Sequence, residues 1–338
     1  MKEIGIIVPV YNTERFLERC LDSLINQSII EKIKIIIIND GSKDNSEKII
    51  LKFMNEYPNN IEYYKTENSG LSSARNYGIK KCDAKYIGFV DSDDYVHKTM
   101  FEKMYSVLER EKADIVTCAL TKCDNNEKFI EFEQVGIEGN IDKDNAINFI
   151  LSNKIKGYAW NKLVKTSLFK DNNIFYPEGR LYEDIITSYK LIKKSNLVLA
   201  IDEPLYYYVQ HKKSICYNPT LKTAQDILLN LDDMERLQVL SNDFVVNTLV
   251  LSISAYYTWY HVNKNKIKNW EINKYMDKLR CYKKRVNLFK LMKSKNIERK
   301  IKIKYIAFYL GFFKYIYFLK NKIQDIKKIP CDFLFEEN

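Results

Sequence analysis

The sequence has no long apolar run, few glycines and few prolines. Its 338 residues include 10 glycines and 6 prolines, and these form neither internal repeats nor Gly/Ser linkers. No 18-residue apolar run is present, which argues against a transmembrane helix. The nearest approach, 305–319, is short for a bilayer and is interrupted by Lys314. The N-terminus leads directly into an apolar run, so we expect no signal peptide.

Cysteine usage excludes two further protein classes. The seven cysteines are odd in number and contain no C-x-x-C pair, which argues against a disulfide framework and a zinc site. Cys20 and Cys118 stand among apolar residues and are typical of small core side chains. We therefore expect reduced thiols in a cytoplasmic protein.

Charge is unevenly distributed along the chain. Residues 261–330 contain 21 Lys+Arg and 4 Asp+Glu, a net charge of +17, whereas the whole chain carries +10. Aromatic and aliphatic residues alternate with lysines over 300–322, which suits an interfacial helix on an anionic membrane. The alternative is a helix packed on the rest of the protein with its lysines outside. No nucleic-acid-binding module accompanies the charge, so we expect no nucleic-acid partner.

Apolar runs alternate with helical periodicity in the first 120 residues. Strands are predicted at 4–10, 33–39, 61–65, 85–90 and 113–118. This rhythm is typical of a doubly wound, mostly parallel sheet. Strands are also predicted near 197–201 and 204–209, after which the pattern is wholly helical, with helices near 221–240, 243–264, 270–293 and 297–326. The predicted organisation is a catalytic domain at 1–217 and a helical, basic region at 218–338.

Polar residues follow three of the predicted strands. The first ends in Pro9-Val10-Tyr11-Asn12, the second reaches Asp40, and the fourth leads into Asp91-Ser92-Asp93-Asp94. The carboxyl ends of parallel strands share one edge, where ligands bind. Clustered carboxylates there suit a divalent cation with phosphates on its far side. The alternative for the acidic run alone is a solvated turn that caps the next helix.

Two further segments complete a recognisable set. Arg75 and Asn76 lie on a helix opened by Gly70-Leu71-Ser72-Ser73, and Glu183-Asp184 opens a later helix. Taken in order, these motifs resemble those of the family 2 glycosyltransferases over about residues 1–215. The resemblance implies a GT-A fold and an inverting, metal-assisted transfer of a hexose or N-acetylhexosamine from a UDP-sugar. The implied acceptor is a hydroxyl of a lipid-linked cell-surface glycan, met peripherally at the inner face of the membrane.

The resemblance also assigns roles to residues. It makes Asp93 a ligand of Mn²⁺ or Mg²⁺, with Asp91 and His211 as further candidate ligands, although a lone histidine is more often structural. Lys212, Lys213 and Ser214 could contact phosphate. The implied nucleotide-sugar-binding set is Pro9, Val10, Tyr11, Asn12, Asp40, Arg75, Asn76, Asp91, Ser92 and Asp94.

Several of these assignments have structural alternatives. A carboxylate at Asp40 can accept the N3–H of uracil, but Asp-Gly-Ser is also ordinary turn chemistry. Arg75 offers a fork for a diphosphate or a neighbouring carboxylate, with a surface salt bridge as the alternative. Trp160 could stack on an acceptor or donor sugar, or it could anchor the core.

Catalysis is assigned to the later acidic pair. The implied general base is Asp184, and Glu183 binds or orients the acceptor. Acidic residues in a first helical turn are also simply favourable with the helix dipole.

Two other functions compete with this interpretation. A nucleotidyltransferase would need a Gly-rich phosphate loop with Arg and Lys near the N-terminus, which the segment 9–12 lacks. An inactive glycan- or nucleotide-binding module held at the membrane would not need Asp91, Asp93 and Asp184 together. A processive synthase is disfavoured because a Q-x-x-R-W motif is absent.

Overall fold

A computed structural model describes residues 2–211, 214, 217–263, 269–313 and 315. The chain forms two compact units that divide between Tyr217 and Asn218. Each unit is described separately.

The first unit is built around one sheet. Its strands are β1 (Ile4–Val10), β2 (Ile33–Asn39), β3 (Ile61–Lys65), β4 (Tyr86–Phe89), β5 (Tyr95–Val96), β6 (Ile115–Asp124), β7 (Phe129–Glu133), β8 (Gly139–Ile141), β9 (Lys162–Lys165) and β10 (Val198–Gln210). Its helices are α1 (Glu14–Ile25), α2 (Ser46–Glu56), α3 (Leu71–Lys81), α4 (Met100–Glu111), α5 (Lys143–Leu151), α6 (Thr166–Lys170) and α7 (Glu183–Lys194). The strand order is β3-β2-β1-β4-β9-β6-β10-β5, with β7 beside β6 and β8 beside β10.

The parallel part of the sheet fixes the position of the site. β1 pairs in parallel with β2 and with β4, and β2 pairs in parallel with β3. Every residue of β1 is buried, as expected for a strand covered by helices on both faces. The carboxyl ends of β1, β2 and β4 consequently lie along the same edge.

Several strands of the sheet differ from the sequence prediction, among them β9 and β10. β9 is a short strand that lies antiparallel between β4 and β6, in a segment where the sequence analysis predicted no strand. The predicted strands at 197–201 and 204–209 form the single strand β10, with register shifts around Pro204. Proline cannot donate a ladder hydrogen bond, so an irregularity there is expected.

The second unit is helical in its described part. It contains α8 (Leu221–Arg236), α9 (Asn242–Asn263), α10 (Asn269–Lys283), α11 (Leu288–Lys293) and α12 (Arg299–Tyr309). The predicted helix at 270–293 is interrupted before α11, where the Asn287 side chain accepts a hydrogen bond from Lys290 N at 2.9 Å as an N-cap.

The last described helix is shorter than predicted. Gly311 adopts a left-handed φ of 82°, and Phe312 N donates to Ala307 O, which ends α12 in a glycine C-cap. Residues 316–326 of the predicted helix lie outside the described residues. Within the part of the chain that the structure describes, no helix is both long and apolar enough to cross a bilayer.

Candidate active site

The ends of β1 and β2 are joined by hydrogen bonds. Asp40 N donates to Val10 O at 2.9 Å, Asn12 N donates to Ser42 Oγ at 3.1 Å, and Lys43 N donates to Asn12 Oδ1 at 2.8 Å. Asn12 has a left-handed φ of 54°, a conformation that asparagine tolerates better than most residues. The turn therefore uses the Asn12 side chain to fix its own shape.

Among Pro9, Val10 and Tyr11, only the tyrosine offers its side chain to a ligand. Pro9 and Val10 are buried in β1, whereas Tyr11 is 47% exposed. An exposed aromatic ring at a strand end is suited to stacking on a nucleotide base. Asp40 is buried and accepts hydrogen bonds from Ser69 N and Gly70 N, both at 2.8 Å. It thus holds the start of α3 against the end of β2, and any contact with uracil would use a remaining lone pair.

The acidic run after β4 is fixed by its last carboxylate. Asp94 is buried and accepts hydrogen bonds from Tyr206 Oη and Val209 N, both at 2.8 Å. Burial, followed by the charges of Asp93 and Asp91, raises the pKa of Asp94 well above its usual value. Asp94 therefore ties the loop to β10 and has little surface left for the donor sugar that the sequence suggested. Ser92 is also buried, and its hydroxyl accepts a hydrogen bond from Thr13 Oγ1 at 3.0 Å.

Asp93 and His211 lie side by side. His211 Nε2 is 2.9 Å from Asp93 Oδ2, and the imidazole ring stacks on Phe16 with ring centroids 4.6 Å apart. Arg19 Nη2 donates to Asp93 O at 3.3 Å, which supports the loop from the side of α1. Lys212 and Lys213 lie outside the described residues, and Ser214 N donates to His211 O.

Asp93 and His211 fit a divalent cation whose coordination shell is completed by a substrate. Asp93 supplies carboxylate oxygen and His211 supplies imidazole nitrogen, a combination that suits Mn²⁺ better than Mg²⁺. Asp91 Oδ1 already accepts a hydrogen bond from Arg75 Nη2 at 2.8 Å. Among the residues that the structure describes, no three His, Cys, Asp or Glu side chains form a metal site on their own. The remaining ligands would come from phosphate and water.

Arg75 bridges the two acidic motifs. Its Nη2 contacts Asp91, and its Nη1 donates to Glu183 Oε1 at 2.7 Å, with only 3% of the arginine side chain exposed. Burial acts to lower the pKa of Arg75, but the charges of Asp91 and Glu183 outweigh it, and the pKa is raised. The guanidinium of Arg75 is thus occupied by two neighbouring carboxylates. Because the side chain is buried, these contacts are not a surface salt bridge. Asn76 is similarly used within the protein, since it donates to Tyr176 O at 2.9 Å and accepts from Tyr176 N at 2.8 Å.

The second acidic motif begins α7. Tyr182 immediately precedes it with a left-handed φ of 60°, an unusual conformation for an aromatic residue and one that is often found at functional sites. Glu183 is buried, whereas Asp184 keeps part of its surface accessible. Burial of the carboxylate and then the charge of Glu183 raise the pKa of Asp184 to about 7, although Arg75 and Lys162 oppose the rise. A partly accessible aspartate with such a pKa is suited to general base catalysis near neutral pH.

Trp160 lies in an aromatic stack. Its ring is 4.5 Å from Tyr158, 4.2 Å from Tyr206 and 5.6 Å from Tyr208 by centroid distance, and the residue is 6% exposed. This environment favours the core alternative over direct stacking on an acceptor.

Three residues of the site had no role in the sequence analysis: Arg19, Lys162 and Tyr206. Arg19 lies on α1, but its contact with Asp93 depends on tertiary structure. Lys162 is close to Trp160 in a segment where the sequence analysis gave a role to the tryptophan alone, and Tyr206 lies in a predicted strand.

Comparison with known proteins identifies the relationship. The sequence profile described as Glycosyl transferase family 2 matches residues 5–171. The chain is 34% identical over 227 residues to the uncharacterized glycosyltransferase EpsJ of Bacillus subtilis, an alignment that covers 66% of this chain and 65% of EpsJ. The chain thus spans slightly less than two thirds of that relative. Glu183, Asp184 and His211 lie beyond the region matched by the family profile.

Two solved structures share the fold. The S. aureus TarS 1-349 complex with UDP-GlcNAc has a TM-score of 0.64 at 18% identity and covers 96% of this chain and 92% of that one. The mannosyltransferase PcManGT from Pyrobaculum calidifontis, solved with GDP-Man and Mn²⁺, has a TM-score of 0.54 at 12% identity and covers 96% of this chain and 87% of that one. These similarities confirm the predicted GT-A-like fold, with a mixed sheet that is parallel around β1 and a helical C-terminal region.

Proposed function

Because residues 5–171 match the profile of glycosyl transferase family 2, we propose that this chain is an inverting glycosyltransferase of that family with a UDP-sugar donor. The observation that carries the proposal is the bridge from Asp91 through Arg75 to Glu183. It places the acidic loop at the end of β4 and the start of α7 around one buried guanidinium. A donor site and a proton acceptor for the incoming hydroxyl can therefore face the same sugar carbon.

In this proposal, the first acidic loop binds the donor. Tyr11 stacks on the base, Asp40 accepts a hydrogen bond from it, and Asp91 faces the ribose or the cation. Asp93 and His211 would hold Mn²⁺ or Mg²⁺, which would supply positive charge to offset the negative charge on the departing UDP. The exposed fraction of the Asp93 side chain, 27%, leaves it open to a ligand, unlike Asp94.

The second acidic motif activates the acceptor. Asp184 takes the proton of the acceptor hydroxyl while that oxygen attacks the anomeric carbon from the face opposite UDP. Glu183 keeps its place through Arg75 and thereby orients the first turn of α7. A single displacement of this kind inverts the anomeric configuration, so an α-linked donor gives a β-linked product.

The acceptor class is proposed from relatives and from the second unit. TarS is named a poly(ribitol-phosphate) beta-N-acetylglucosaminyltransferase and is 24% identical to this chain over 217 residues. We propose that this chain likewise transfers a hexose or N-acetylhexosamine to a hydroxyl of a cell-surface glycan that is carried on lipid. Exposed apolar residues in the basic second unit support peripheral contact with the inner face of the membrane. These residues are Phe289, Met292, Ile303, Leu310 and Phe312.

UDP release from a panel of donors tests this function. The purified chain is incubated with UDP-glucose, UDP-galactose, UDP-N-acetylglucosamine and UDP-N-acetylgalactosamine, each with Mn²⁺ or Mg²⁺, and UDP is measured by a coupled assay. We expect slow hydrolysis of at least one donor even without acceptor, and its loss in Asp93→Ala. An inactive binding module would bind UDP without hydrolysing any donor, and absence of both binding and hydrolysis would contradict the proposed donor.

A further inference from the structure

Lys162 is a buried lysine whose amine contacts backbone and amide oxygens. Only 3% of the residue is exposed. Its Nζ donates to Lys156 O at 2.7 Å, to Tyr158 O at 2.6 Å and to Asn161 Oδ1 at 2.9 Å. An ammonium group has three N–H donors, so these three acceptors match it fully. A neutral amine has two N–H donors and would lose its hydrogen bond to one of these three oxygens.

The two carbonyls that Lys162 binds flank Gly157, and Gly157 packs directly on α7. A Cβ at Gly157 would lie 2.8 Å from Ile185 Cα, which is closer than real Cβ contacts allow. Ser188 Oγ, one turn further along α7, donates to Gly157 O at 2.6 Å. The backbone around Gly157 is therefore in contact with the residue that directly follows Asp184.

We infer that Lys162 is a positioning residue for the general base, acting on the first turn of α7 through the backbone at Gly157 and on the Asp184 carboxylate through its charge. The inference rests on the proposed function of Asp184. It assigns the buried lysine of β9 to the reaction, although Lys162 itself need touch neither donor nor acceptor.

The charges around the base are consistent with this role. Asp184 is faced by Glu183 on α7, by Arg75 on α3, by Lys162 on β9 and by Asp91 beyond β4, and its charge also reaches the Tyr176 hydroxyl. Of these, Arg75 and Lys162 are the cations, and Arg75 is already shared by two carboxylates.

The pKa of Lys162 depends on its burial and on the charge of Asp184. Burial lowers the pKa of Lys162 to about 7, and Asp184 and then the Cys118 thiol oppose the change. An ionised Asp184 consequently favours the charged amine, and the charged amine favours an ionised Asp184.

Lys162→Met and Ser188→Ala separate the two parts of the inference. Methionine keeps the length of the side chain but removes its charge and all three donors. We expect Lys162→Met to lower kcat by about 10²-fold, the loss typical of a small misplacement of a reacting group, and to move the acid limb of the pH profile to higher pH. Ser188→Ala removes only the hydrogen bond to Gly157, so we expect a smaller loss of kcat with the acid limb unmoved. UDP affinity, measured by titration calorimetry, should change little in both.

Lys165→Met is the matched control. Lys165 lies on the same strand, but its Nζ contacts Asp114 Oδ1 at 2.8 Å, so kcat and the pH profile should stay as in the wild type. Wild-type kcat and an unmoved acid limb in a folded Lys162→Met would overturn the inference. If Lys162→Met does not fold, unchanged kcat in Ser188→Ala overturns it. Failure of the proposed function is a different result, because the wild type would then hydrolyse no donor.

Discussion

Arg75 Nη1 lies 2.7 Å from Glu183 Oε1, and each of these side chains is 5% exposed or less. The two residues are 108 positions apart in the chain. A pair of this kind contributes less to stability than its short distance suggests, because both charges are removed from water. The pair mainly fixes the position of the two acidic motifs, since the same guanidinium also binds Asp91.

Arg75→Met should destabilise the protein strongly. It would leave Glu183 as a buried charge without its partner, and breaking such a pair typically costs about 3–5 kcal/mol. Chemical denaturation followed by circular dichroism measures the change. The matched control is Arg110→Met, which removes an exposed arginine paired with Glu111 and should change stability by less than about 1 kcal/mol. Equal effects of the two substitutions would show that the buried bridge does not hold the site together.

Asp93→Asn and His211→Ala should weaken metal-dependent binding of UDP. Each removes one of the two protein donors that face each other at 2.9 Å. Calorimetric titration of UDP in the presence of Mn²⁺ should show a loss of at least about tenfold, as is found even for residues that only support metal ligands. His97→Ala is the control, because His97 Nδ1 contacts Thr99 Oγ1 instead. If His211→Ala binds Mn²⁺ and UDP as the wild type does, the histidine is not a ligand.

The rate of transfer should rise with pH through about 7. Asp184 must be ionised to accept a proton, and burial together with Glu183 raises the pKa of Asp184 to about 7. Glu183→Gln removes the neighbouring negative charge, so the acid limb of kcat/KM should move to lower pH. An acid limb near the ordinary aspartate pKa in the wild type would place the base elsewhere.

The raised pKa of Asp184 also affects the stability of the protein. A carboxyl group whose pKa is raised on folding stabilises the folded protein below its unfolded pKa, and this contribution is lost as pH rises through the folded value. Asp184→Asn should therefore melt at a higher temperature than the wild type at pH 8 and at nearly the same temperature at pH 4. Thermal melts at the two pH values measure this difference, and a destabilised Asp184→Asn at pH 8 would contradict it.

The double substitution Phe289→Ser with Met292→Ser should weaken binding to anionic vesicles. These side chains are 67% and 62% exposed on α11, where lysines flank them. Burying an apolar side chain contributes about 1.5–3 kcal/mol, so vesicle co-sedimentation should fall at least about tenfold. Phe129→Ser with Phe132→Ser is the control, since these aromatic residues are similarly exposed on β7 of the first unit. A similar loss of vesicle binding in both double variants would indicate nonspecific hydrophobic adsorption.

The sequence was sufficient to predict the alternating architecture, because buried parallel strands and amphipathic helices leave clear periodic patterns. It also placed the acidic loop and the Glu183-Asp184 pair at element ends. It could not show that Arg75 contacts two carboxylates or that Asn76 and Asp94 are occupied by protein partners, since these contacts join residues far apart in the chain. The environments of Trp160 and Lys162 were equally hidden. An aromatic stack and a buried ammonium depend on β9, which is too short to have a periodic pattern.

The stereochemistry of donor hydrolysis tests the central claim most directly. Water can replace the unknown acceptor, and ¹H NMR can identify the anomer of the released sugar before it equilibrates. With an α-linked UDP-sugar from the active panel, we predict that the β anomer appears first and that Asp184→Asn slows its formation by about 10²–10⁴-fold while UDP binding is retained. First appearance of the α anomer, or an unchanged rate in Asp184→Asn, would contradict a single displacement with Asp184 as its base.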